Sequence, residues 1–230
     1  MPQPTFILVH GAWHGAWCWR ELTPEFDRQS AAWRTIDLPS SHDAGAGTND
    51  LESDAAAVAG LANTAGPVVL VGHSYGGAVI SEAASRIDQL VGLVYIAALR
   101  PRVSQSASQA SRTVDIRTAL DDAMEVDGAF VGLDGALAVT GLYLECSAEI
   151  QKWAIPQLTR QTLASFRAKR QSHDSSVPSR FVLCRNDRAL DPTLQERMAE
   201  GCDEVIEFSS DHSPFLSHPA QCAEAILGIS

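Results

Sequence analysis

The sequence predicts an α/β fold with a mainly parallel six-stranded sheet flanked by helices, and three observations carry that expectation. Short apolar runs rich in Val, Ile and Leu recur along the chain, segments of helical length separate them, and between residues 101 and 177 the alternation stops. Continuous apolar runs of this kind suit strands buried on both faces, which parallel sheets require.

Taken in order, the continuous apolar runs are residues 5–9, 67–71 and 90–96, and residues 32–36, 180–184 and 204–208 complete a set of six strands. The helical candidates are residues 16–28, 50–63, 75–87, 193–200 and 219–227, each able to cross over between neighbouring parallel strands. Residues 101–177 hold no strong strand and are rich in Ala, Asp, Ser, Gln and Arg. They read as a mostly helical insertion, a lid whose apolar residues, Phe130, Tyr143, Trp153 and Phe166 among them, pack onto the body and roof a pocket. Residues 1–100 and 178–230 then form the core.

Composition narrows the function. A chain of 230 residues with 45% hydrophobic content supports one sizeable core. The net charge of −11, from 17 basic and 28 acidic residues without a basic run, argues against nucleic acid as a partner. No apolar stretch approaches the ~20 residues that span a bilayer. Five cysteines, Cys18, Cys146, Cys184, Cys202 and Cys222, form no CxxC pair and read as free thiols. With an uncharged amino terminus and an apolar run at residues 6–9 too short for a leader, the expected compartment is the cytoplasm.

The strongest chemical signal is Gly72-His73-Ser74-Tyr75-Gly76-Gly77, directly after one expected strand and directly before a helix. A serine on such a tight strand-to-helix turn needs small residues two positions either side, because the backbone passes close to its neighbours. Gly72 and Gly76 meet that need. The turn also aims the first N–H groups of the helix at the serine, so Tyr75 should donate one to a developing oxyanion. A second backbone donor is expected from Ala12, in the glycine-rich loop His10-Gly11-Ala12-Trp13-His14-Gly15 at the carboxyl end of the first strand. His10 and His14 stand four apart, but in a glycine-rich loop without a carboxylate, so no metal is expected. No cofactor is implied either.

Serine at neutral pH needs a base, and in this arrangement the base comes last in the chain, after the last strand. His212 in Ser209-Ser210-Asp211-His212-Ser213-Pro214 has that place. His42, His173 and His218 sit in polar loops with no strand directly before them, and His73 beside Ser74 should point away from it. The orienting acid should lie just past the preceding strand, at Asp187, with Asp191 as the alternative; Asp211 adjoins the histidine and is poorly placed to grip its ring.

These motifs resemble the α/β-hydrolases that include plant methyl-ester esterases and hydroxynitrile lyases. The similar stretches are FILVHGAWHGAWCW (6–19), VVLVGHSYGG (68–77), LVYIAALRP (93–101), CRNDRAL (184–190) and DHSPFLS (211–217). The resemblance implies the α/β-hydrolase fold with a helical lid, a triad of Ser74, Asp187 and His212, and oxyanion donors at Ala12 and Tyr75. It implies a small-molecule ester as substrate, whose identity depends on the lid, where the similarity fades. The expected activity is hydrolysis of a small carboxylic ester through an acyl-enzyme. The alternatives are lyase-type carbon–carbon cleavage of a cyanohydrin, or a ligand-binding receptor on the same fold. Against the lyase, well-known lyases of the family place a lysine directly after the histidine, where this chain has Ser213, and its lysines, Lys152 and Lys169, both fall in the insertion.

Overall fold

A computed structural model describes residues 3–43 and 45–229; Met1 and Pro2, part of the uncharged amino terminus noted above, lie outside the described residues. The chain begins with β1 (Thr5–Val9), β2 (Trp33–Ile36), β3 (Val68–His73) and β4 (Leu90–Ile96). It then makes β5 (Met124–Asp127), β6 (Phe130–Leu133) and β7 (Gln161–Thr162) before returning with β8 (Ser179–Cys184) and β9 (Glu204–Phe208). The main six-stranded sheet has the order β2-β1-β3-β4-β8-β9, and every neighbouring pair in it is parallel. This agrees with the sequence reading, and the strand bounds differ from it by at most two residues at an end.

Eleven helices accompany the strands among the described residues: α1 (Thr23–Arg28), α2 (Leu51–Ala62), α3 (Tyr75–Ala83), α4 (Ala107–Ser111), α5 (Ala119–Ala123), α6 (Gly135–Leu142), α7 (Ala148–Ala154), α8 (Leu163–Arg167), α9 (Pro192–Ala199), α10 (Pro214–Ser217) and α11 (Pro219–Leu227). Local chemistry sets several of their starts. Asp50 caps α2 by accepting the Glu52 and Ser53 N–H groups while Ser53 Oγ takes the Asp50 N–H, a reciprocal capping box. β3 is buried along its whole length and lies between β1 and β4, so the turn at its carboxyl end is anchored at the middle of the sheet.

Three expectations are corrected. Residues 16–28 are not one helix: a 3₁₀ turn at Ala16–Trp19 is followed by α1, whose start is set by Pro24, a residue suited to the first helical turn because it has no N–H to leave unpaired. The helix after Ser74 stops at Ala83 and ends in a 3₁₀ turn, Ala84–Arg86. The segment between β4 and β8, read as mostly helical and without a strong strand, also holds β5, β6 and β7, which form an antiparallel three-stranded sheet. The β5–β6 turn is Gly128-Ala129, with Gly128 at φ 59°, the positive value that tight hairpin turns favour at this position. β5 is solvent-exposed along its length, so it carries no apolar run that would mark it in the sequence. Among the described residues no helix is long and apolar enough to cross a membrane.

Candidate active site

Ser74 stands between the last residue of β3 and the first of α3 at φ 52°, ψ −121°. A non-glycine residue held there is strained, and such strain persists only where the surroundings enforce it. They do: Ser74 N–H donates to the Ile96 carbonyl (3.1 Å), and the Ser74 carbonyl accepts from Gly77 N (3.0 Å) and Leu99 N (2.9 Å). The flanking glycines have no room for a side chain. A Cβ on Gly76 would lie 2.6 Å from the carbonyl oxygens of Val9 and His10, and one on Gly72 2.6 Å from the Gly76 oxygen. The elbow is therefore pressed against the end of β1 and the loop that follows.

Asp187, in the loop after β8, and His212, in the loop after β9, are brought together, with His212 Nδ1 2.7 Å from Asp187 Oδ2. The carboxylate accepts three further hydrogen bonds: Oδ1 from Ala189 N (2.7 Å) and Leu190 N (2.9 Å), Oδ2 from Gln195 Nε2 (2.8 Å). Gln195 is itself fixed, with Oε1 accepting from Cys184 N. Of the competing acids, Asp191 caps α9 through Thr193 N. Asp211 accepts from Glu145 N, Ser213 N and Ser217 Oγ, and burial pushes its pKa up. Neither contacts the His212 ring nitrogens among the described hydrogen bonds. His42 and His173 are exposed, and His218 pairs with Ser217 Oγ.

His73, directly before Ser74, donates Nε2–H to the His212 carbonyl (2.9 Å), with ring centroids 4.6 Å apart. A carbonyl only accepts, so His73 carries its proton on Nε2, and burial drives its pKa well below the usual range. The contact ties the His212 loop to the elbow. Ser74, Asp187 and His212 are 7%, 4% and 1% exposed, which leaves the group almost wholly shielded from bulk water.

The loop after β1 lies against the elbow, since a Cβ on Gly11 would come within 2.9 Å of Ser74 Cβ. Its ring nitrogens are all engaged. His10 donates Nδ1–H to the Gly11 carbonyl (2.8 Å) and accepts from Leu38 N (3.0 Å); His14 donates Nδ1–H to the Ala12 carbonyl (2.8 Å) and accepts from the Tyr143 hydroxyl (2.7 Å). Burial lowers their pKa values to about 4 and about 3, so both are neutral. His10, Asp37 and His42 lie close enough to suggest a metal, but His10 has no lone pair left and Asp37 Oδ1 accepts from Ala16 N (2.6 Å). Ala12 N–H has no acceptor among the described hydrogen bonds, and Tyr75 N–H is the first donor of α3, where none is available within the helix.

Two features escaped the sequence reading. Trp13 is 4% exposed and sits at φ 63°, with Nε1–H donating to the Val131 carbonyl of β6 (2.9 Å) and its own carbonyl accepting from Thr159 N (2.8 Å). Beneath Tyr75 lies Asp54 of α2, which accepts from the Tyr75 hydroxyl (2.8 Å), Ser40 N (2.9 Å) and Ser40 Oγ (2.5 Å). Burial raises its pKa to about 6. Gln161 of β7 donates to Ser40 Oγ and joins the group to the insertion. An aromatic residue in an otherwise small-residue loop was a visible signal for Trp13; nothing local marks Asp54.

The chain is 29% identical over 252 residues to the carbendazim hydrolyzing esterase of Nocardioides, covering 97% of this chain and 98% of that protein. It is 25% identical to Methylesterase 1 of Arabidopsis thaliana, covering 98% and 95%. The crystal structure of a pyrethroid hydrolase from Sphingobium faniae superimposes with a TM-score of 0.86 at 22% identity, covering 98% of this chain and 96% of that chain. A profile of the alpha/beta hydrolase family matches residues 6–225, nearly the whole sequence. This chain belongs to the alpha/beta hydrolase family.

Proposed function

We propose that this protein hydrolyses a small carboxylic ester through an acyl-enzyme, with Ser74 as nucleophile, His212 as general base and Asp187 as the acid that orients it. The observation that carries the reading is the 2.7 Å contact between Asp187 Oδ2 and His212 Nδ1, in a loop that His73 ties to the elbow holding Ser74 at φ 52°. A carboxylate accepting at Nδ1 keeps the proton on that nitrogen and leaves Nε2 as the base. His212 Nε2 takes the hydroxyl proton as Ser74 Oγ attacks the ester carbonyl; the oxyanion is held by the Ala12 and Tyr75 N–H groups; the C–O bond breaks and the alcohol leaves with the proton. Water, deprotonated by the same nitrogen, then releases the acid and restores the serine.

The family relatives named as esterases support an ester substrate. Lys152 and Lys169 are both exposed on the insertion, and the position after His212 is Ser213, so no lysine adjoins the histidine to stabilise a departing cyanide. The residues between β4 and β8 act as the lid that selects the substrate. The test compares wild type with Ser74→Ala on phenyl acetate and with a fluorophosphonate probe. Serine-dependent acetate release and stoichiometric labelling of Ser74 are expected; hydrolysis of equal rate in both proteins would refute the assignment.

A further inference from the structure

The loop that carries Ala12 has no strand or helix of its own to fix its peptide planes. In a trans peptide the N–H of one residue points opposite the C=O of the residue before it, so whatever holds the Gly11 carbonyl also aims the Ala12 N–H. That carbonyl accepts from His10 Nδ1 (2.8 Å) and His14 N (3.4 Å). The next one, of Ala12, accepts from His14 Nδ1, and the next, of Trp13, from Thr159 N and Thr159 Oγ1. Three consecutive carbonyls are tied, and the insertion supplies Thr159 directly and Tyr143 through His14. Trp13 adds its indole N–H to the Val131 carbonyl and a ring 5.7 Å from that of Phe166.

We propose that Trp13 is a positioning residue for catalysis, through which the insertion sets the aim of the Ala12 N–H and so forms part of the oxyanion apparatus as well as its cover. The proposal rests on the serine-hydrolase reading above. Its warrant is the combination found at one residue. Glycine would accept the positive φ of position 13 without strain, and phenylalanine would fill much of the same volume. Of the three, only tryptophan also brings a donor to the Val131 carbonyl. An oxyanion donor accelerates the reaction to the extent that it is fixed in advance on the place where charge will develop. A small tilt of the Ala12 peptide therefore lowers kcat and leaves substrate binding nearly unchanged.

The experiment uses the full chain as Trp13→Phe, Trp13→Gly and Thr159→Val, with phenyl acetate, a substrate small enough to make little contact with the insertion. Each variant is assayed well below its melting temperature, with circular dichroism as the folding control. In both Trp13 variants kcat should fall about tenfold or more with KM within about twofold. Affinity for an aryl trifluoromethyl ketone, which adds Ser74 Oγ and places an oxyanion in the hole, should fall in proportion to kcat/KM, while affinity for a non-reacting ketone of the same shape stays constant. A purely structural role for Trp13 would lower the melting temperature without this split. Wild-type kcat and wild-type trifluoromethyl ketone affinity in folded Trp13→Phe or Trp13→Gly overturn the proposal. If the Trp13 variants do not fold, Thr159→Val, which removes the hydroxyl donated to the Trp13 carbonyl, decides: a reduced kcat at constant KM supports the proposal, and an unchanged kcat overturns it. Failure of the underlying reading shows separately, as phenyl acetate hydrolysis by wild type that does not depend on Ser74.

Discussion

Asp187 holds four hydrogen bonds on two oxygens, and they divide three tasks among them. The two backbone donors, Ala189 and Leu190, fix the loop; Gln195 fixes the rotamer; His212 receives the benefit. Asp187→Asn replaces one oxygen with a donor, which favours the wrong tautomer of His212, so kcat should fall by about three orders of magnitude or more. Asp191→Ala should leave kcat unchanged and lower stability by about 1 kcal/mol through loss of the α9 cap, read by urea unfolding. Chain order made Asp187 legible in the sequence, whereas Gln195 was not, because its reach back to Oδ2 depends on the direction α9 takes after its cap.

Asp54 offers a second test at this scale. Its folded pKa, about 6, lies above the ordinary 3.8, so the folded state binds the extra proton. The sign follows: stability from Asp54 is fully present below about pH 4 and is lost as pH rises through 6, by up to about 3 kcal/mol. Asp54→Asn should flatten this component of the pH dependence of unfolding between pH 4 and 7; an unchanged slope would show that Asp54 does not titrate there.

At the scale of elements, the contrast between two glycines separates close approach from mere flexibility. A Cβ on Gly76 meets backbone oxygens at 2.6 Å that cannot move without parting α3 from β1, so Gly76→Ala should abolish activity and lower the melting temperature sharply. Gly60, exposed in the last turn of α2, has nothing within 4 Å of a Cβ, and Gly60→Ala should raise stability by about 0.5 kcal/mol. Three inner strands of the main sheet, β1, β3 and β4, were legible because burial on both faces forces a continuous apolar run. The β5–β6 hairpin was not, because Met124–Asp127 are exposed and their pairing is specified by the Gly128 turn and the partner strand. The same limit hid the role of Trp13, whose partners Val131 and Thr159 are more than a hundred residues away.

For the whole molecule, three buried neutral histidines dominate the response to acid. His10 and His14 have folded pKa values of about 4 and 3 against an ordinary 6.5, and His73 is shifted the same way by burial. Unfolded, each binds a proton below pH 6.5 that the folded state refuses, so their contribution is present above 6.5 and is lost on acidification at about 1.4 kcal/mol per pH unit each. This outweighs the opposite slope of Asp54. Urea midpoints should fall steadily from pH 7 to pH 5, and His14→Gln should reduce the slope.

The sheet order also dictates the sequence of assembly. β1 to β4 occupy residues 5–96 and pair among themselves, whereas β4 and β8 are neighbours separated by residues 97–178. Closing so long a loop is entropically costly, and pairings that need it form late. Ser74 and the Ala12 loop are therefore expected in an early nucleus, and Asp187 and His212 in a unit that docks afterwards. The seam where the two meet is the candidate active site, so pulse-labelled hydrogen exchange during refolding should protect β1, β3 and β4 before β8 and β9, and hydrolytic competence should emerge only with the slower phase.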